Sequence, residues 1–141
     1  MINYADHVNT DVSSTGVDWH IDHSLKVIIN SCEALKKSDP SKYNPQDNQI
    51  RNRIFKTGII PRGVGKAPKA VTAIGEIRIE ALLIQLKEAR KLIDEIKDLH
   101  EDCHYYHPYF GALNLNLAIQ FFSIHTEHHL KIIKDIINKP D

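Results

Sequence analysis

The chain has 141 residues, 18 Lys+Arg against 18 Asp+Glu, 42% hydrophobic residues, two Cys and nine His. This length suits a single domain, residues 1–141, that buries about two-thirds of its unfolded surface, so neither disulfides nor a structural zinc are needed to hold a core. Zero formal charge argues against a globally basic nucleic-acid binder, and no apolar stretch approaches the roughly 18 to 20 residues of a membrane span.

Met1-Ile2-Asn3-Tyr4-Ala5-Asp6 has neither the basic n-region nor the apolar h-region of a signal peptide. Cys32 and Cys103 lack Cys-x-x-Cys spacing and fit a reducing compartment. A cytoplasmic location is expected, with Cys32 a small core residue.

A short helix is expected over Ile2 to Val8. From Val17 to Lys37, Ile21, Leu25, Ile28, Cys32 and Leu35 recur at three- and four-residue steps, the period of an amphipathic helix. Thr15 with Asp18 reads as a capping box in which Asp replaces Glu or Gln. Ser38 to Asp47 is a turn-rich connector, and Asn48 to Thr57 is a shorter helix stopped by Gly58. Glycines and prolines make Ile59 to Lys69 a loop.

Leu82, Leu86, Ala89, Ile93 and Ile96 share one face of a helix expected over Ile79 to His100, with charged residues opposite. Glu101 to Asn114 reads as a second connector, and no strand alternation or hairpin signature is evident in the chain. Asn114 is a plausible N-cap for the last helix, Leu115 to Asn138, with Pro140 beyond it. The expected architecture is all-α, a four-helix bundle.

On the last helix Ala118, Phe122, Ile132 and Ile136 form an apolar stripe whose missing steps are His125 and His129. Residues i and i+4 lie one turn apart on one face, so both imidazoles can converge on a metal ion. His128 lies about 100° round from His129 and is less well aimed. Zinc-like ions need at least a third protein ligand. The first long helix offers His20 and His23, nearly equal on geometry. A helical wheel places His23 with Trp19, Val27, Asn30 and Ala34, a small mixed face able to line a pocket.

Two elements carry a resemblance to a known family: Trp19-x-x-x-His23-x-Leu25, and His125-x-x-His128-His129 in the final helix. With them the chain resembles the DinB-like superfamily of four-helix-bundle metal proteins, which includes the YfiT-type hydrolases and thiol-dependent transferases. His107-Pro108-Tyr109-Phe110-Gly111 is similar to a segment of an uncharacterised branch, and Lys66-Ala67-Pro68-Lys69 also looks similar. The resemblance implies His23, His125 and His129 as ligands of a divalent transition metal, a small-molecule substrate and a homodimer. The superfamily usually has a full helix before its Trp/His helix, for which this chain has only about a dozen residues.

Three histidines would leave an open position for water or substrate, as in catalytic zinc sites, and imidazoles also suit nickel and iron. Hydrolysis, or transfer to a low-molecular-weight thiol, is the expected chemistry, without a choice between them. The alternative is a non-catalytic metal-binding or stress-response bundle. Asp22, Asn30 and Glu127 are the nearest candidates to orient the imidazoles, with His20, His107 and His128 as further pocket neighbours. Between Asp47 and Glu76 there is no acid but six basic residues. Arg62, Lys66 and Lys69 are therefore candidate anion contacts if that loop covers the bundle mouth.

Overall fold

The computed structural model describes residues 1–139; Pro140 lies outside the described residues. Four helices, α1 (Val17–Lys37), α2 (Gln49–Thr57), α3 (Ile79–Ile96) and α4 (Leu115–Asn138), are joined by a two-stranded antiparallel hairpin, β1 (His104–His107) and β2 (Gly111–Asn114). Helix α1 packs against both α3 and α4, and the hairpin lies against α1 and α4. No helix among the described residues is long and apolar enough to cross a membrane.

The apolar stripes meet in one core. Val17, Cys32 and Leu35 of α1 lie with Leu82, Leu92 and Ile96 of α3 and Leu113 of β2, each at most 1% exposed. Burying a Leu or Ile side chain of this kind stabilises the fold by about 1.5–3 kcal/mol. Burial pushes the Cys32 thiol up to about 12, in keeping with a core residue and not a nucleophile.

The start of α1 differs from expectation. Thr15 makes no capping bond; Gly16 occupies the N-cap without a side-chain bond. The N-terminal segment, a single 3-10 turn at Ile2–Tyr4, folds back instead. Carbonyls of His7 and Ala5 accept from the Val17 and Asp18 N–H groups at 3.0 and 3.1 Å, and Asp18 Oδ1 accepts from Trp19 N–H at 2.7 Å. Backbone carbonyls thereby satisfy donors that helix starts leave open.

At α2, Asn48 Oδ1 accepts from Arg51 N–H at 2.8 Å, and Gly58 ends the helix at φ 67°, in the left-handed region. At α4, Asn114 Oδ1 accepts from Leu117 N–H at 3.1 Å. Helix α3 ends at Ile96, short of His100, whose Nδ1 instead accepts from Asp102 N–H at 3.1 Å and turns the chain.

The fold is mostly helical, with four helices consistent with a helical bundle, and the largest correction is that the second connector carries a small two-stranded hairpin. His104, Tyr105, Tyr106 and His107 pair with Asn114, Leu113, Ala112 and Gly111. Aromatic residues favour a pleated, half-buried surface. The turn is closed by Gly111 at φ 69° and by His107, whose Nδ1 accepts from Tyr109 and Phe110 N–H at 3.1 and 3.3 Å. A histidine here does the work that Asn or Asp does in more familiar turns, which removes the usual sequence signal.

Candidate metal centre

Helices α1 and α4 bring three histidines together. His125 and His129, one turn apart on α4, and His23 of α1 are all buried, and their ligating nitrogens lie within 4.8 Å of one another. His125 Nε2 stands 3.2 Å from His23 Nε2 and 3.2 Å from His129 Nε2. Nitrogens bound tetrahedrally at about 2.0–2.1 Å would be separated by about 3.3–3.4 Å. The spacing therefore fits a single zinc-sized ion.

Hydrogen bonds behind the rings bear on which nitrogen is free to bind. His23 Nδ1 lies 2.9 Å from the Val71 carbonyl, which can only accept, so the proton sits on Nδ1 and the Nε2 lone pair faces the cluster. His129 Nδ1 lies 2.9 Å from His20 Nδ1, and His20 Nε2 is 3.0 Å from Ser13 Oγ and 3.3 Å from Thr15 Oγ1. With His20 donating from Nε2 to those hydroxyl oxygens, its Nδ1 accepts from His129 Nδ1–H. That arrangement turns the His129 Nε2 lone pair to the cluster. His125 Nδ1 is buried without a hydrogen-bond partner.

Convergent lone pairs repel unless a cation lies between them. Burial and neighbouring imidazoles also keep the group neutral. His125 is lowered to about 3 and His129 lies lower still, each first by desolvation and then by adjacent histidines. His23 is lowered by desolvation, opposed by its bond to Val71. Neutral imidazoles are the ligand form. Trp19 stacks on His23, with ring centroids 4.8 Å apart and planes 11° from parallel, which limits rotation of that ring.

The cluster adjoins a cavity of about 280 Å³, lined on α1 by Trp19, His23, Val27, Asn30 and Ser31 and on α4 by Phe121, His125, His128 and His129. The mixed face of α1 thus lines a pocket while its Ile stripe fills the core. The loop after α2 lines this cavity through Pro61, Gly63, Gly65, Lys66, Ala67 and Pro68, and the hairpin adds Tyr105, His107 and Phe110.

The expected neighbours divide. His20 contacts His129 directly, a role that its sequence position beside His23 does not reveal. His107 lines the cavity and holds the hairpin turn, stacked on Phe110 at 4.3 Å; burial lowers it to about 4. His128 is half-buried at the cavity wall.

Asp22, Asn30 and Glu127 do not orient the imidazoles. Asp22 binds Lys26 at 2.7 Å and Gln85 at 2.8 Å, Asn30 donates to the Ala70 carbonyl at 3.4 Å, and Glu127 faces Lys131 at 3.9 Å. A backbone carbonyl and a fourth histidine stand behind His23 and His129 instead. Of the candidate anion contacts, Arg62 is paired with Asp135 at 2.9 Å, Lys69 is exposed outside the cavity lining, and only Lys66 lines it. Among protein-family models, curated proteins and solved structures, none matches this chain.

Proposed function

We propose that the protein is a metal-dependent enzyme in which His23, His125 and His129 hold one divalent transition ion, zinc, nickel or iron, at the wall of a substrate cavity. The observation that carries this reading is the convergence of three buried imidazoles, with His125 Nε2 3.2 Å from the Nε2 atoms of both His23 and His129, at the wall of a cavity of about 280 Å³. A bound ion would act as a Lewis acid and make water or a thiol a better nucleophile at neutral pH. The reaction class is hydrolysis or transfer to a low-molecular-weight thiol, as the resemblance to DinB-like proteins implies, in a bundle of that type.

The chain's own residues perform three tasks in this scheme. Val71 and His20 fix the ring orientation of His23 and His129. Trp19, Phe110 and Phe121 exclude water around the reacting groups and strengthen electrostatic effects there. His107, which accepts at Nδ1 from the hairpin turn and so carries its proton on Nε2, lines the cavity as a hydrogen-bond donor.

Catalysis, as opposed to structural metal binding, rests on a three-residue donor set with no fourth protein ligand in the cluster among the described residues. Cobalt substitution tests it. The visible spectrum of the cobalt-loaded protein should shift on adding azide, which needs an exchangeable position. A spectrum unchanged at saturating azide would mean a closed, structural site.

A further inference from the structure

The hairpin turn forms one side of the cavity, and its histidine has a single orientation. His107 Nδ1 accepts from the backbone N–H groups of Tyr109 and Phe110 at 3.1 and 3.3 Å. Those groups can only donate, so the ring proton sits on Nε2. The ring is stacked on Phe110, centroids 4.3 Å apart and planes 12° from parallel, and meets Phe121 edge-on at 4.8 Å. Turning it over would surrender both bonds to the turn. Burial lowers His107 to about 4, so at neutral pH the imidazole is uncharged and its Nε2–H can only donate.

That donor is open. Among the described residues Nε2 has no hydrogen-bond partner, and in contrast to Tyr105 Oη and His125 Nδ1 it is not sealed from solvent. It lies across the ring from Nδ1, so it points away from the turn, and His107 lines the cavity. Phe121 meets both His107 and His125, with centroids 4.8 and 5.2 Å away. One aromatic ring therefore separates the donor from the histidine cluster, and a compact ligand resting on Phe121 spans the two.

The other walls are largely apolar, through Trp19, Val27, Val71 and Phe110. Among the described residues no Asp, Glu or Arg lines the cavity, and its lining lysine, Lys66, is exposed to solvent. An ionic ligand would lose its hydration there without a buried counter-charge, which is costly. A neutral carbonyl oxygen supplies the acceptor that Nε2–H lacks and is far easier to desolvate.

We propose that the cavity takes a compact, uncharged carbonyl compound, its oxygen accepting from His107 Nε2–H and its apolar body lying on Phe121 beside the histidine cluster. His107 is thereby a specificity-determining residue. The assignment deepens the metal-enzyme reading and rests on it for the carbonyl compound's being a substrate, while the binding preference stands on His107 and the cavity walls alone.

The test titrates three probes into the metal-free protein: acetophenone, isopropylbenzene, which carries a methyl group in place of the carbonyl oxygen, and benzoate. Trp19 is the single tryptophan and lines the cavity, so its indole N–H resonance reports occupancy. His107→Asn keeps an acceptor for the turn, because Asn Oδ1 can take the place of the ring Nδ1, but has no donor at the Nε2 position. The ratio of acetophenone to isopropylbenzene affinity should fall about fivefold in this variant, as loss of one net hydrogen bond requires, whereas lost ring volume alone would weaken both ligands together. In His107→Gln the side-chain NH2 can reach the Nε2 position and should restore most of the ratio. The carbonyl carbon resonance of bound acetophenone should lie downfield in the parent relative to His107→Asn, and benzoate should bind the parent at least about tenfold more weakly than acetophenone.

An unchanged ratio in folded His107→Asn, equal losses in folded His107→Asn and His107→Gln, tighter binding of benzoate than of acetophenone, or no binding of acetophenone would each overturn the proposal. The two readings fail separately. A protein that takes up no zinc but keeps the His107-dependent preference loses the metal reading alone; one that binds zinc and shows no such preference loses this one.

Discussion

Replacing His20 tests the hydrogen-bond logic of the centre without touching a proposed ligand. His20 is 4% exposed, and its Nδ1 is 2.9 Å from His129 Nδ1. His20→Leu removes the acceptor, so His129 can present its Nε2 lone pair only by leaving Nδ1–H buried and unpaired, at about 1–3 kcal/mol. At about 1.4 kcal/mol per tenfold in binding, metal affinity should fall about 5- to 150-fold, in line with the 10- to 100-fold typical of lost partners behind a ligand.

The metal-free protein escapes most of this cost, because His129 can move its proton to Nε2 and donate toward His125 Nε2, 3.2 Å away. The loss should therefore appear in affinity more than in thermal stability. Competition titration of zinc against a chromophoric chelator at neutral pH measures the first, and a melting curve the second. In His20→Asn, the Oδ1 atom can take the place of the ring Nδ1 and should restore most of the affinity. Parental affinity in His20→Leu would refute the reasoning, as would equal losses in folded His20→Leu and His20→Asn proteins.

Acid should destabilise the metal-free protein. Burial lowers His20 and His107 to about 4, whereas the unfolded-state value is near 6.5. Between pH 6.5 and 4 the unfolded chain binds more protons, so stability present above that range is lost as pH falls, by up to about 1.4 kcal/mol per pH unit for each such histidine. Urea titrations across this range check it; a flat midpoint would contradict the burial of neutral imidazoles. Asn48 caps α2 and also donates from Nδ2 to the Tyr109 carbonyl at 3.0 Å. Asn48→Ala should cost about 1–2 kcal/mol and speed amide exchange in the hairpin turn; unchanged exchange at Tyr109 to Gly111 would show that the tie carries no load.

The parts of the site that were legible in the sequence are those that a single helix encodes. His125 and His129 interrupt the apolar stripe of α4 at one-turn spacing, and His23 falls on a face of α1 distinct from its Ile stripe. The roles that depend on contacts between distant segments were not legible. His20 and His23 are equivalent by position, and what separates them is that Val71, after the loop, meets His23 while Ser13 and Thr15 meet His20. Likewise, Asp22 is next to His23 and Glu127 two residues from both His125 and His129, but each helical step turns by about 100°, so their carboxylates point away from the imidazoles, toward Lys26 and Lys131.

Elements followed the same rule. Asn48, Gly58 and Asn114 are local signals and mark their helix ends. The start of α1 is capped by carbonyls of Ala5 and His7, a contact that no capping-box pattern encodes. The hairpin was missed because its turn is organised by a His107 side chain and Gly111, and because four-residue strands are too short for alternation to stand out. The basic run from Arg51 to Lys69 suggested anion contacts only on the condition that its loop covers the bundle mouth; the loop does line the cavity, but Asp135 neutralises Arg62 from a helix more than seventy residues away in sequence.

The most direct measurement is the metal content of untagged protein, supplemented with zinc, nickel or iron and then freed of excess ion, for the parent and for His23→Ala, His125→Ala and His129→Ala. One divalent ion per chain in the parent, lost in all three variants while their helical content persists, is the result predicted by ligation through the three Nε2 atoms. No uptake by the parent after supplementation, or full occupancy in folded His125→Ala and His129→Ala proteins, would contradict it.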